Sequence, residues 1–118
     1  MQIETRLCDQ LSRYLDLAVT ETKLTAANMA NIDTPGYRTR GFDFQAEMQK
    51  ALAGVDTGRE APAQVADVDG LISRPDGNNV SMDREGLHMA EAQLKFRTGV
   101  ALIRLENQRV MDAIHADK

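Results

Sequence analysis

Residues 26–37 read AANMANIDTPGY and combine a helical half with a proline–glycine turn. The first half can continue a helix, but the second half cannot, because Pro35 pushes Thr34 towards an extended backbone. Pro35 and Gly36 suit the two central positions of a type II turn, and the second of these positions requires a positive φ. The segment therefore predicts a helix that ends in a tight turn, after which Tyr37 points in a defined direction.

A regular repeat leads into this helix end from the N-terminal side. Small and apolar residues recur at alternating steps of three and four, which is the spacing of a coiled-coil seam. The repeat consists of Cys8, Leu11, Leu15, Ala18, Thr22, Thr25, Met29 and Ile32. Asn28 and Asn31 fall in the last turns, where their side chains can hydrogen-bond backbone groups as the helix ends. We expect residues 1–32 to hold one long N-terminal helix.

A second long helix is predicted within residues 81–118. Ser81 can cap free N–H groups at its start, and Asp83 and Glu85 follow in the first turn, where the helix dipole favours negative charge. Asn107 is a polar interruption of its apolar seam, a device that can fix helix register. The seam comprises Phe96, Val100, Ile103, Asn107, Val110 and Ile114, and Met82, Gly86, Met89 and Gln93 extend it upstream. The predicted helix-packing interface comprises Leu11, Leu15, Met29, Met89, Phe96, Val100, Ile103, Asn107, Val110 and Ile114.

Apolar residues also lie on a second face of the C-terminal helix. Leu87, Leu94, Ala101 and Leu105 form a row well around the helix from the seam, so one partner helix cannot cover both. At about 1.5 Å per residue the two helices measure roughly 40 and 50 Å, too long for a compact globule of 118 residues. We therefore predict an all-α fold with two long terminal helices in coiled-coil-like packing, surrounded by helices of neighbouring molecules.

The segment between the helices, residues 33–80, holds all three prolines and most of the glycines. A brief helix over residues 45–53 is the only regular element predicted there. Residues 54–79 offer too few large apolar side chains to offset the entropy of ordering them. We expect this middle segment to be irregular and partly mobile unless a partner holds it.

Charge and composition argue against several classes of function. The net charge is −4, and no Lys/Arg cluster provides the basic surface that nucleic acid requires. No apolar stretch approaches the roughly 20 residues that span a bilayer, and the N-terminus lacks the apolar core of a signal peptide. His88 and His115 are the two histidines, and they lie about 40 Å apart on one predicted helix, too far to share a metal ion or a proton relay. We expect no catalytic residue, no metal, no cofactor and no small-molecule substrate.

Residues 26–37 resemble the signature of the bacterial flagellar rod, hook and hook-associated proteins, in which a helix runs into ANNIAN, a polar pair, and TPGY or TPGF. Ala27 and Met29 are the departures, and both are conservative. The assembly motif carried by this resemblance comprises Asn28, Asn31, Thr34, Pro35, Gly36 and Tyr37. A second stretch, DGNNV, is similar to the start of the C-terminal helix in small rod subunits of the FlgB type. The residues of this helix start are Asp76, Gly77, Asn78, Asn79 and Ser81.

The resemblance implies a function as well as a fold. In this family the two chain ends form a helical domain that polymerises into an axial structure, which implies a structural, torque-transmitting subunit of the proximal rod. The implied partners are further copies of the chain, other rod subunits, and the export apparatus and membrane ring proteins at the rod base. The implied location is the periplasmic rod of the basal body, reached by type III export without a cleaved signal peptide. Two alternatives stay open: the related small rod subunit FlgC, and a soluble coiled-coil adaptor or chaperone-like module built as an antiparallel hairpin.

Overall fold

The computed structural model describes residues 6–53 and 62–116. In these ranges the elements follow the order α1 (Arg6–Ala30), β1 (Arg40–Gly41), α2 (Phe44–Leu52), β2 (Ala66–Asp67) and α3 (Met82–His115). The long helices α1 and α3 pack along each other, and α2 and the two short strands lie against α1 or each other. The predicted all-α class, with two long terminal helices and an irregular connection, is confirmed.

The molecule is elongated. Its principal extents are 69 × 26 × 19 Å and its radius of gyration is 18.1 Å, against about 13 Å for a compact chain of this length. The 34 residues of α3 alone extend about 51 Å. None of the described helices is long and apolar enough to cross a membrane.

The two long helices are antiparallel. Asn28, near the end of α1, hydrogen-bonds Glu85 in the first turn of α3. Farther along, Gly99 of α3 lies against Leu15 and Tyr14 of α1, so closely that a Cβ on Gly99 would be 2.6 Å from Leu15 Cδ2. The two helices therefore approach closely at a position where α3 has no side chain.

The register of this contact differs in part from the predicted seam. The buried residues of α3 recur every seven positions, at Glu85, Ala92, Gly99 and Glu106. Small residues occupy the centre of the contact because they let the two backbones approach. The predicted positions Val100 and Asn107 each follow one of these buried residues, and Asn107 is exposed. Asn107 is therefore not a polar interruption of the contact within the chain, and its place in an interface with other molecules stays a prediction.

The short helix α2 is fixed by aromatic and ionic contacts. Asp43 caps its N-terminus by accepting a hydrogen bond from Ala46 N at 3.0 Å. The Tyr14 and Phe44 rings meet edge to face with centroids 5.4 Å apart. Glu47, which is buried, pairs with Arg13 at 3.5 Å and accepts a hydrogen bond from the backbone of Gln64. The sequence predicted this helix over residues 45–53, and the observed helix begins and ends one residue earlier.

The middle segment is more constrained than its composition suggests. β1 and β2 pair antiparallel, with Arg40 opposite Asp67 and Gly41 opposite Ala66, and Val68 N donates to Thr39 O at 2.9 Å. These two-residue strands were not predicted, because they are too short to produce a periodic pattern. Part of the segment predicted to be mobile, residues 54–61, lies outside the described residues; the part from residue 66 onwards is hydrogen-bonded to the rest of the chain.

The core of the described residues is small. Its buried apolar residues are Leu17, Ala18, Val80 and Ala92, whereas eleven large apolar side chains are exposed. Much of what is buried is polar, including Asn28, Asn78 and Glu85. Hydrogen bonding therefore carries an unusual share of the specificity of this fold.

Candidate functional site

The end of α1 is closed by the side chains that the sequence singled out. Asn31 donates from its backbone N–H and from Nδ2 to Ala27 O, at 3.1 and 2.8 Å. Asn31 Oδ1 in turn accepts from Thr34 Oγ1 at 3.0 Å. The side-chain amide thus adds a second hydrogen bond to the Ala27 carbonyl, and its oxygen fixes the first residue of the following turn.

The turn itself has the predicted geometry. Tyr37 N donates to Thr34 O at 3.2 Å, and Gly36 between them has φ 74°. A proline at the second position and positive φ at the third define a type II turn. The sequence-based prediction for Pro35 and Gly36 is therefore confirmed.

A second turn, formed by residues 74–78, lies against the first. Gly77 N donates to Arg74 O, and Arg74 N donates to Asn78 O, both at 2.8 Å, with Gly77 at φ 87°. Gly36 N donates to Asp76 O at 2.8 Å. A Cβ on Gly77 would stand 3.4 Å from Gly36 Cα, so the two glycines bring the backbones of the two turns into contact.

Asn78 connects the second turn to the end of α1. Its Nδ2 lies 2.9 Å from each of three carbonyl oxygens, those of Asn31, Ile32 and Thr34. Its Oδ1 accepts from Val80 N at 2.8 Å. The side chain is fully buried, and Arg74 adds a further hydrogen bond to the Ile32 carbonyl. One side-chain amide thus connects the second turn to three carbonyl groups at the end of α1 and in the first turn.

Asn28 is the corresponding centre on the α1 side. Its Oδ1 accepts from Tyr37 Oη at 3.0 Å and from Arg40 N at 3.1 Å. Its Nδ2 donates to Arg40 O at 2.9 Å and to Glu85 Oε2 at 3.2 Å. The side chain is 1% exposed, and its two acceptor and two donor positions are all used. Asn28 therefore joins α1, the strand β1 and the start of α3.

Asn79 and Ser81 complete the connection into α3. Asn79 Oδ1 accepts from Thr39 N at 2.6 Å, and Asn79 N donates to Tyr37 O at 3.3 Å. Ser81 is the N-cap of α3 and accepts from Arg84 N at 3.3 Å. Arg84 also pairs with the buried Glu85 at 2.6 Å. The two signature stretches of the sequence therefore form one hydrogen-bonded unit, which we call the asparagine clamp: Asn28, Asn31, Asn78 and Asn79 with the two turns they hold.

The sequence identified the asparagines as site residues, but it did not predict which of them contact one another. Asn31 and Asn78 are 47 residues apart, and no local pattern connects them. Arg74 and Glu85, which also belong to this unit, were not predicted as part of the site. Glu85 could have been found from the seven-residue spacing that it shares with Ala92, Gly99 and Glu106.

A second candidate site is the outer face of α3. Leu87, Leu94 and Leu105 are 61%, 67% and 66% exposed. Each lies about 160–260° around the helix from the buried row, so these leucines point away from α1. Ala101 completes this row and is also exposed. We call these four residues the outer row.

The predicted packing residues are half-buried or exposed, and none of them is fully buried. Leu11, Leu15, Met29, Met89, Val100, Ile103 and Val110 are half-buried; Phe96, Asn107 and Ile114 are exposed. Met89, Phe96, Ile103 and Val110 flank the buried row of α3 and border the contact with α1. The structure thus places some of this predicted interface inside the molecule and leaves the rest open.

Potential metal ligands meet at one place among the described residues. Glu21 of α1 and His88 and Glu91 of α3 place one ligand atom each within 4.8 Å of one another. Glu21 and His88 also line an open cleft of about 450 Å³ between the long helices and β1–β2.

Comparison with known proteins identifies relatives over most of the chain, although no family model matches it. The flagellar basal body rod protein FlgB of Salmonella typhimurium strain LT2 is 34% identical, over 85% of this chain and 86% of that protein. FlgB of Cereibacter sphaeroides is 32% identical, over 92% of this chain and 96% of that protein. FlgB of Escherichia coli strain K12 is 30% identical, over 86% and 88%. Together with the two signature stretches, these matches establish that the chain belongs to the FlgB family of flagellar basal body rod proteins.

Proposed function

We propose that this chain is a structural subunit of the flagellar rod that polymerises through its terminal helices and catalyses no reaction. The observation that carries the proposal is the outer row of α3, whose three leucines are more than 60% exposed. Burying a leucine side chain stabilises a complex by about 1.5–3 kcal/mol, so a partner that covers this row would gain stability from each leucine.

The asparagine clamp would support this assembly by fixing the orientation of α1 relative to α3. It ties the end of α1, both turns and the start of α3 into one unit through buried hydrogen bonds. A subunit that polymerises must present the same surfaces in the same orientation in every copy. The clamp is well suited to that requirement, because fully satisfied polar networks specify one arrangement.

The partners and the location are part of the same proposal. By family resemblance, the outer row packs against helices of further copies or of other rod subunits, and the base of the assembly contacts the export apparatus and the membrane ring proteins. The rod lies in the periplasm, and the chain reaches it by type III export with its N-terminus uncleaved.

The alternative is a soluble adaptor built as an antiparallel hairpin. One observation favours it: α1 and α3 do pack antiparallel within one chain. Two others favour the polymer: α3 has 34 residues against 25 in α1, and its outer row stays exposed after the hairpin has formed.

The test is an in-frame deletion in the source bacterium, scored by swimming and by electron microscopy of isolated basal bodies. We expect rods and filaments to be missing and to return when the intact gene is restored. Assembled, rotating flagella in the deletion strain would contradict a rod function. In the wild-type strain, rods that contain none of this chain would support the adaptor.

A further inference from the structure

Three side chains from two helices meet beside the cleft between α1 and α3. His88 Nδ1 lies 3.5 Å from Glu21 Oε1 and 3.8 Å from Glu91 Oε2. His88 and Glu91 are three residues apart on α3, and therefore share a face of that helix, whereas Glu21 comes from α1. We propose that Glu21, His88 and Glu91 form a binding site for a divalent transition-metal ion of the zinc class, which links the two long helices.

The ligand atoms have nearly the spacing that zinc requires. Bonds of about 2.0–2.2 Å in tetrahedral geometry place neighbouring ligand atoms about 3.3–3.6 Å apart. The two separations from His88 Nδ1 are 3.5 and 3.8 Å, and all three atoms lie within 4.8 Å of one another. The Glu91 side chain is 49% exposed, so it has room to rotate towards the other two ligand atoms.

The ligand set also selects the type of metal. One imidazole with two carboxylates suits zinc and its neighbours in the first transition series. Magnesium and calcium prefer sites made of oxygen atoms alone. The sequence predicted no metal because it paired His88 only with His115; the residue that completes the site, Glu21, is 67 positions away along the chain from His88.

Lys95 holds one ligand in place. Its Nζ contacts Glu21 Oε2 at 3.1 Å, which leaves Oε1 turned towards His88. The Lys95 ammonium lies 4.0 Å from the centre of the Phe44 ring, so it is itself fixed by a cation–π contact. A partner that orients a ligand from behind is typical of metal sites. If His88 is neutral, the charges of Glu21, Glu91 and Lys95 sum to −1, so the site keeps a net negative charge for a cation.

The position of the site leaves room for a solvent ligand. Glu21 and His88 line the open cleft, and their side chains are 13% and 34% exposed. A fourth, water ligand can approach from this side. Because the ligands come from both long helices, a bound ion stabilises the folded chain and not the unfolded one, and stability increases with metal concentration.

The competing interpretation is a set of ion pairs between protonated His88 and the two carboxylates. Both interpretations use the same contacts, but only the metal site makes stability depend on zinc. Titration calorimetry and thermal unfolding of the full chain with zinc chloride at neutral pH separate them. A Cys8→Ser background removes the only thiol, a potential zinc ligand elsewhere.

We expect one zinc ion per chain and a midpoint of unfolding that rises with zinc concentration. His88→Ala abolishes both effects, and Glu91→Gln lowers the affinity by at least about tenfold. His115→Ala is the matched control, since this exposed histidine at the end of α3 lies far from the site.

If the isolated chain is only partly helical, zinc must raise its helicity with the same dependence on His88. If neither the stability nor the helicity of the chain changes with zinc concentration, the proposal is wrong. Zinc binding of equal affinity in His88→Ala also overturns it.

Discussion

At the scale of single residues, buried asparagine side chains hold the segments of this chain together by hydrogen bonds, where most cores rely on apolar contacts. Asn28 uses all four hydrogen-bonding positions of its side chain, and Asn78 contacts three carbonyls at once. The sequence indicated both residues as parts of recognisable stretches. Their mutual arrangement could not be predicted, because it depends on contacts between segments more than 40 residues apart.

The first prediction concerns Asn28. Asn28→Asp keeps the shape of the side chain but replaces Nδ2, 3.2 Å from Glu85 Oε2, with a second carboxylate oxygen. We expect the free energy of unfolding to fall by about 3 kcal/mol, because two donors are lost and two carboxylates meet in a buried site. Urea unfolding followed by circular dichroism measures the change. Asn107→Asp, the same substitution at an exposed position of α3, should change the stability by less than about 1 kcal/mol, and equal effects would contradict the role of Asn28.

The second prediction concerns Tyr14. Burial, and in second place the charge of Glu21, raises the pKa of the Tyr14 hydroxyl above its usual value of 10.0. The unfolded chain therefore releases this proton at a lower pH than the folded chain does, so the free energy of unfolding falls as the pH rises above about 10. Tyr14→Phe should make this alkaline loss of stability shallower, and Glu21→Gln should reduce it by a smaller amount. Urea unfolding at a series of alkaline pH values gives the slopes; identical slopes for wild type and Tyr14→Phe would exclude a contribution of this tyrosine.

At the scale of secondary structure, the sequence predicted the long helices well and their contact only in part. The helix ends follow from local chemistry: Pro35 and Gly36 after α1, and the Ser81 cap before α3. The predicted seam followed the large apolar residues, whereas the contact buries Ala92 and Gly99. Periodicity alone could not separate the two rows, because small residues occupy the close contact within the chain while many large apolar residues stay exposed.

The third prediction tests this close contact. In Gly99→Val the new Cβ alone would lie 2.6 Å from Leu15 Cδ2 and 3.1 Å from Tyr14 Cδ1. We expect a loss of about 1–3 kcal/mol in the free energy of unfolding, because the helices must move apart. Gly86→Val on the same helix is the control: nothing lies within 4 Å of its Cβ, and the better helix propensity of valine should stabilise the chain by a few tenths of a kcal/mol. Equal stability of the two variants would mean that α1 and α3 do not approach at Gly99.

At the scale of the whole molecule, the described residues form a small core and leave many large apolar side chains exposed. Eleven large apolar side chains are exposed among the described residues, and the molecule is 69 Å long but 19 Å thin. Such a shape gives little burial within one chain and much when copies pack side by side. The family resemblance and the exposed outer row therefore lead to the same proposal from independent observations.

The fourth prediction separates folding from assembly. Leu94→Asp and Leu105→Asp replace side chains that are 67% and 66% exposed, so each should change the stability of the isolated chain by less than about 1 kcal/mol. In the bacterium both should abolish swimming, because a buried unpaired carboxylate at a subunit interface is strongly unfavourable. Gln45→Asp, an exposed position on α2, is the control for added charge and should swim. Normal swimming of both leucine variants would show that the outer row is not an assembly surface.

High-resolution electron cryomicroscopy of basal bodies purified from the source bacterium can show whether this chain builds the rod through the outer row of α3. We predict density for this chain within the rod, with Leu87, Leu94 and Leu105 covered by helices of neighbouring subunits. Basal bodies that lack the chain, or a rod in which these leucines face solvent, would contradict the account.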